Sequence, residues 1–255
     1  FDLTRTPNFE PRRGPAVPTY MAATKAPLLF MPLRSGPEAR VSAWLATLGG
    51  GGELRTDFTQ KTLRQWKRQN RGHRSFTVIR HPVARAYQAF LDRILGTGKG
   101  AYLEIRRTLM RVYNVPLAPD GPGPDWTLEA QRAAFLGFLE FLRMNLSGQT
   151  AVRVDAAWAS QAQVMQGFSE FALPDMVIRE DHLEEELGML AAMVGVEPQP
   201  LPPEPNPPKI PLSALYDGEI EAAVKDIYQR DYMTFGFGPW PGAEGLAAKE
   251  LSRSA

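Results

Sequence analysis

The chain has no cysteine, and this absence excludes several kinds of chemistry at once. Without a thiol there is no disulfide, no thiolate metal site, no iron–sulfur cluster and no cysteine nucleophile. Histidine is also scarce: the 3 histidines, His73, His81 and His182, do not show the spacing of metal ligands. We therefore expect no metal site in this protein.

Long hydrophobic runs and an excess of one charge are missing as well. No stretch approaches the ~20 apolar residues that a membrane-spanning helix needs. Residues 1–20 contain four prolines and no apolar core, so they do not resemble a signal peptide. The 29 Lys and Arg residues nearly balance the 28 Asp and Glu residues, for a net charge of +1. This balance argues against nucleic acid or a membrane surface as a general partner, although it leaves a local basic site open.

The remaining composition is that of an ordinary globular protein, with 44% hydrophobic and 22% charged residues. A length of 255 residues is enough for one large domain with a sizeable core. We predict that this domain covers residues 26–240, between an extended N-terminal segment over 1–25 and a flexible tail over 241–255. Residues 198–211 contain eight prolines, which predicts an extended connector inside the domain.

Three segments share a pattern in which a short apolar run precedes a turn and then a stretch with helical spacing. The pairs of apolar run and helical stretch are 28–31 with 38–48, 76–79 with 83–95, and 176–178 with 183–194. Such pairs are typical of βα units, so we predict an α/β fold with a mainly parallel central sheet flanked by helices. Further helices are predicted over 127–147, capped by Thr127, and over 213–230.

An arginine stands at or just after the end of each predicted strand: Arg34, Arg80 and Arg179. Ligands of open α/β sheets bind beyond the carboxyl ends of the strands, so three guanidinium groups there would form a site for a polyanion. The window 58–91 strengthens this hypothesis, because it contains eight Lys and Arg residues and no Asp or Glu. The alternative is that the three positions coincide by chance and that part of the window is a solvated helix face.

The common phosphate-binding motifs are absent. The sequence has no G-x-x-x-x-G-K-[ST] and no G-x-G-x-x-G after a strand, which disfavours a P-loop kinase. It also has no G-x-S-x-G elbow for a serine nucleophile. A site for a polyanion would therefore have to be built from the arginines themselves.

Four segments together resemble one known family. Residues 76–90, FTVIRHPVARAYQAF, are similar to the strand–turn–helix that binds the 3′-phosphate in sulfotransferases that use 3′-phosphoadenosine 5′-phosphosulfate. The three other similar segments are 155–161 (DAAWASQ), 175–187 (DMVIREDHLEEEL) and 227–237 (IYQRDYMTFGF). The resemblance spans residues 28–237 and is strongest to the carbohydrate sulfotransferases, including their bacterial members. The residues that match the family pattern are Arg80, Arg85, Glu180, Asp231 and Tyr232.

The resemblance implies a P-loop nucleotide-kinase-like sulfotransferase fold and transfer of a sulfuryl group from this nucleotide to a hydroxyl, expected on a carbohydrate. It implies no metal, and it is consistent with a cytoplasmic bacterial protein of unspecified oligomeric state. The residues expected to bind the nucleotide are Arg34, Ser35, Gly36, Arg80, Arg85 and Gln88. Arg34 is also expected to act in catalysis. The base for the acceptor hydroxyl stays open, with His81 and Glu180 as its two candidates.

The sequence departs from the family pattern mainly in the loop after the first predicted strand, residues 32–37, which we call the first loop. Leu33 stands where the family has a lysine, and Arg34 follows one position later. Glu38 lies where a helix starts, and a carboxylate there would repel a phosphate. Gln88 replaces a serine, and Ala157 replaces a histidine. These departures leave a second hypothesis open, namely a nucleotide- or glycan-binding protein that has lost transfer activity.

Overall fold

The computed structural model of the protein describes residues 20–168 and 173–243, and strand β4 (Arg74–Ile79) lies at the centre of the fold. Residues 75–79 of this strand are all buried, because helices cover both faces of the sheet. Strands β2 (Leu28–Phe30) and β5 (Met176–Arg179) pair with β4 in parallel, one on each side. All three strands coincide with the predicted apolar runs.

The sheet is mixed, so the prediction of a mainly parallel sheet holds only for β2, β4 and β5. Strand β1 (Met21–Ala23) is antiparallel to β2, and β3 (Leu54–Arg55) is antiparallel to β1. Among the described residues the strand order is β3-β1-β2-β4-β5. Four residues connect β1 to β2, which is too short for the crossover that parallel pairing requires. Because β1 is rich in alanine, its sequence gives little signal for a strand.

The three predicted βα helices and the helix that starts after Thr127 are present. Within the described residues the helices are α1 (Glu38–Thr47), α2 (Gln60–Gln69), α3 (Pro82–Ala89), α4 (Leu103–Val112), α5 (Leu128–Leu146), α6 (Gln161–Phe168), α7 (Leu183–Met193), α8 (Gly218–Ile227) and α9 (Gln229–Phe235). The prediction of one helix over 213–230 is wrong at its start and its end. The Asp217 carboxylate accepts hydrogen bonds from the N–H groups of Glu219 and Ile220, so α8 begins only after this cap.

Two hydrophobic cores lie on the two faces of the sheet. Alternate residues of β2 point into different cores: Leu29 enters the larger core, whereas Leu28 and Phe30 enter the smaller one. Helices α3, α5 and α8 contribute to the larger core, and α1 and α7 contribute to the smaller one. Helices therefore flank the sheet on both sides, as predicted.

The proline-rich segment 198–211, all of which is described, contains no helix and no strand. Helix α1 holds one end of it, because Trp44 Nε1 donates to the Gln199 carbonyl and Arg40 Nε donates to the Pro202 carbonyl. Helix α3 holds the other end through the Tyr87 hydroxyl, which donates to the Ile210 carbonyl. The segment thus connects the two helical layers.

The predicted N-terminal segment is described only from residue 20, and the predicted tail only to residue 243; the rest of both lies outside the described residues. Over the two described ranges, no helix is long and apolar enough to cross a membrane.

Candidate nucleotide-binding site

Arg80 lies directly after β4, at the carboxyl edge of the sheet, and its backbone is held firmly in place. Its N–H donates to Gln161 Oε1 over 3.0 Å, and its carbonyl accepts from Gln161 Nε2 over 2.8 Å. Gln161 starts α6, and the buried Asp231 carboxylate caps this helix by accepting from Gln161 N at 2.9 Å and Ala162 N at 3.0 Å. Arg80 is only 7% exposed. Its position is therefore set by a buried network that reaches from β4 to α9.

The guanidinium group of Arg80 brings together three other predicted site residues. Its Nε and Nη2 each donate to one oxygen of Glu180 over 2.6 Å, which is a two-pronged ion pair. Its Nη1 lies 3.4 Å from the Ser35 carbonyl oxygen and 3.5 Å from Gln88 Oε1, at the outer limit of a hydrogen bond. Glu180 therefore orients the group, and Nη1 keeps the capacity to bind a stronger acceptor such as a phosphate oxygen.

The first loop forms a tight turn between β2 and α1. The Gly36 N–H donates to the Leu33 carbonyl over 3.0 Å, and Ser35 has a φ of +60°. A Cβ atom at position 36 would lie 2.8 Å from the Leu33 oxygen, so this turn requires glycine. The Ser35 hydroxyl is buried and has no hydrogen-bond partner in the described part of the chain. An unpaired buried hydroxyl in a glycine turn fits the binding of an anionic oxygen.

Arg34 is the more exposed cation of the site. Its side chain is 43% exposed, and its Nη1 lies 3.7 Å from Asp155 Oδ1. Glu38, in the first turn of α1, forms no ion pair within 4.0 Å with any described residue. Burial raises the pKa of the Glu38 carboxyl, and the positive charges of Arg34 and Arg93 partly lower it again.

Arg85 is tied to the first loop, and within the described residues its hydrogen bonds go to backbone oxygens. Its Nε donates to the Arg34 carbonyl over 3.0 Å, and its Nη1 and Nη2 donate to the carbonyls of Ala159 and Ala156 over 2.7 and 2.8 Å. The residue is 2% exposed. It therefore joins the first loop to the segment 156–159 from the inside of the protein.

His81 uses both of its ring nitrogens in backbone contacts. Its Nδ1 accepts from the Val83 N–H over 3.3 Å and so caps α3, and its Nε2 donates to the Gly238 carbonyl over 3.0 Å. Two aromatic rings, of Tyr232 and Phe237, pack edge-on against it. Burial lowers the pKa of His81, so the neutral ring is favoured.

Arg179, the third strand-end arginine, binds other partners. Its Nε and Nη2 pair with Asp181 over 3.0 and 2.7 Å, and its Nη1 donates to the carbonyls of Phe235 and Gly236. The guanidinium carbon also lies 4.7 Å from the centre of the Phe237 ring. Arg179 therefore holds the end of α9. Its hydrogen bonds within the described residues do not reach the first loop or Arg80, so it does not join them in the predicted site.

A cleft of about 230 Å³ begins at Gln88, next to Arg80. It lies between α3, the loop before α5 and the proline-rich segment, and its walls include Leu91, Trp126 and Pro208.

The remaining residues of the site, Gln161 and Asp155, were not predicted from the sequence. Gln161 carries no periodic or motif signal, although both residues fall inside the family-like segment 155–161.

A protein-family model described as the sulfotransferase family matches residues 52–238. This chain belongs to the sulfotransferase family. The match includes β4, Arg80 and Glu180 but begins after the first loop, so Arg34, Ser35 and Gly36 lie outside it. No curated protein and no solved structure matches the chain.

Proposed function

We propose that this sulfotransferase-family protein transfers a sulfuryl group from 3′-phosphoadenosine 5′-phosphosulfate to a hydroxyl group of a carbohydrate. The observation that carries the proposal is the contact of Arg80 with the first loop, where Arg80 Nη1 lies 3.4 Å from the Ser35 carbonyl oxygen. It places the residue predicted to bind the 3′-phosphate beside the loop predicted to bind the 5′-phosphosulfate. Such a pair of neighbouring anion sites suits one nucleotide with an anionic group at each end.

In this proposal Arg80 and Gln88 bind the 3′-phosphate. Glu180 accepts from Nε and Nη2 on one edge of the guanidinium, which leaves Nη1 beside Gln88 Oε1. Gln88 Nε2 donates to Asp92 Oδ1 over 2.8 Å, so the amide would exchange this partner for the phosphate. Gln88 also borders the cleft in front of Trp126, so the rest of the nucleotide would extend in that direction. Arg85 then acts indirectly, because its donors hold the carbonyl of Arg34 and keep the loop in place.

The first loop would hold the 5′-phosphosulfate through the Ser35 hydroxyl and the Arg34 side chain. The Gly36 N–H closes the turn by donating to the Leu33 carbonyl, so Gly36 contributes by shaping the loop. Sulfuryl transfer needs positive charge where negative charge develops in the transition state, and Arg34 provides it. The two residues considered as bases are both engaged, His81 by backbone groups and Glu180 by Arg80. Their contacts favour positioning roles: His81 caps α3, and Glu180 orients Arg80.

The alternative is a nucleotide- or glycan-binding protein without transfer activity, and one observation favours it. Leu33 is 2% exposed and belongs to the larger core, so the position of the family lysine contributes no charge to the site. Ala157, at the position of the family histidine, is buried as well.

Two measurements on the same preparation separate these functions. Calorimetry with adenosine 3′,5′-bisphosphate tests the nucleotide site, and donor turnover with a panel of carbohydrate hydroxyl acceptors tests transfer. We expect binding together with turnover. Binding without turnover on any acceptor would support the binding protein, and absence of binding would reject the nucleotide site.

A further inference from the structure

The loss of the family lysine leaves the first loop with one cation of its own. Because Leu33 is packed into the core, the loop relies on Arg34, whose side chain is partly exposed. Neutralising a transferring sulfuryl group calls for charge on more than one side of it. A second cation should then come from another element that faces the loop.

Arg93 lies on the segment that directly follows α3. After Ala89, helix α3 continues as a π-helical turn over Phe90–Leu95, a conformation that is rare and often found at functional sites. Arg93 is half-buried, its Nη1 donates to the Gly100 carbonyl over 3.0 Å, and its guanidinium carbon lies 5.3 Å from the centre of the Tyr102 ring. Its Nε is buried and lacks a hydrogen-bond partner among the described residues. A buried donor without a partner is uncommon and calls for an explanation.

Arg93 is connected to Arg34 through two side chains. The Tyr102 hydroxyl donates to Asp155 Oδ1 over 3.3 Å, and the same oxygen lies 3.7 Å from Arg34 Nη1. Burial raises the pKa of the Glu38 carboxyl, and the positive charges of Arg34 and Arg93 both lower it. A continuous series of contacts therefore leads from Arg93 through Tyr102 and Asp155 to Arg34, in the first loop.

We propose that Arg93 is the second cation of the site and that it binds the transferring sulfuryl group together with Arg34. This inference rests on the proposed function. In the reaction the acceptor oxygen forms a bond to sulfur, and the bond from sulfur to the 5′-phosphate oxygen breaks. That oxygen keeps the electron pair, and the proton of the acceptor hydroxyl passes to water. Arg93 and Arg34 would stabilise the charge on the sulfuryl oxygens during this exchange.

The test compares two ligands that differ by the sulfuryl group. Calorimetry measures the Kd of the donor nucleotide and of adenosine 3′,5′-bisphosphate for the wild type and for Arg93→Gln. We expect the variant to bind the donor at least about 10-fold more weakly, as a lost charged hydrogen bond implies, while its Kd for the bisphosphate changes less than about twofold. The matched control is Arg107→Gln, which removes an exposed arginine of α4 that pairs with Glu104 and should change neither Kd.

Arg93 also supports the backbone at Gly100, so a purely structural role must be distinguished. Such a role predicts equal weakening of both ligands, and that outcome would overturn the inference. Arg93→Lys keeps the positive charge, so its preference for the donor over the bisphosphate should be larger than that of Arg93→Gln. If the two variants show the same preference, the inference is rejected. If the wild type binds the bisphosphate and the preference is insensitive to Arg93, only this inference fails. If the wild type binds neither ligand, the proposed function fails with it.

Discussion

The Arg80 region and the first loop are built in different ways, although they touch. Around Arg80 the donors and acceptors are paired, from the Gln161 amide to the Asp231 carboxylate and the two oxygens of Glu180. The first loop contains a serine at positive φ, a buried hydroxyl without a partner among the described residues, and a partly exposed Arg34. The family match covers the first region and begins after the second.

This difference separates two requirements of the proposed reaction. A nucleotide phosphate can bind to a rigid site in which Arg80 is already paired with Glu180, because this pair holds Arg80 in its binding orientation. Transfer depends on charge at the atoms that react. Leu33 is buried and supplies none, so the proposal assigns this charge to Arg34 and Arg93. The Arg80 region should therefore determine affinity for the nucleotide, and the loop should determine turnover.

The largest expected effect comes from Arg34→Ala, which removes the loop's own cation. Turnover should fall by about 100- to 1,000-fold, the loss found when one donor to a developing charge is removed. The Kd of adenosine 3′,5′-bisphosphate should change little, because the bisphosphate lacks the sulfuryl group. Steady-state kinetics and calorimetry on the same variant give both values. Equal losses in turnover and in product binding would erase the distinction between the two regions.

Arg80→Ala should produce the opposite pattern. The free energy of binding of the bisphosphate should weaken by about 1.5–3 kcal/mol, the value of a hydrogen bond to a charged group. Part of this loss would come from Glu180, which keeps its charge beside the phosphate site after Arg80 is removed. The double variant Arg80→Ala/Glu180→Gln separates the two contributions by calorimetry. Unchanged affinity in a folded Arg80→Ala protein would remove Arg80 from the site.

Asp231→Ala tests whether the Arg80 region depends on its buried network. The Asp231 carboxylate accepts hydrogen bonds from Ser160 Oγ, Gln161 N and Ala162 N, so its loss leaves buried donors unpaired. We expect the free energy of unfolding to fall by about 1–3 kcal/mol, measured by denaturant titration. Asp226→Ala, an exposed position on α8, is the matched control and should have little effect. If both variants are equally stable, the network does not support Arg80.

The same contrast explains how much the sequence could predict. Strands β2, β4 and β5 were predictable because their apolar runs are continuous. Arg80 and Glu180 match the family motif and lie in contact, whereas Gln88 departs from that motif. Strand β1 was missed because Met-Ala-Ala has no strand signal, and the sheet was therefore predicted to be more parallel than it is. The contacts of Gln161 and Arg93 depend on long-range packing and on a π-helical turn, which periodicity does not reveal. The backbone contacts of Arg85 could not be read from its motif, since a guanidinium group binds carbonyls and phosphates with the same donors.

The smallest expected effect concerns His81, which lies where α3 begins beside Arg80. Burial lowers the pKa of His81 below the ordinary value of 6.5. At pH values just below 6.5 the folded protein therefore keeps the ring neutral, whereas the ring of the unfolded chain binds a proton. The unfolded state then binds more protons, and the free energy of unfolding should decrease as the pH falls from 6.5 towards the lowered pKa. His81→Asn keeps a side chain that can cap the helix but cannot titrate, so its unfolding free energy should lack this component. Denaturant titrations of both proteins at several pH values measure the difference. Parallel pH curves for the wild type and the variant would show that His81 is not held neutral, and His81 would again become a candidate base for the acceptor hydroxyl.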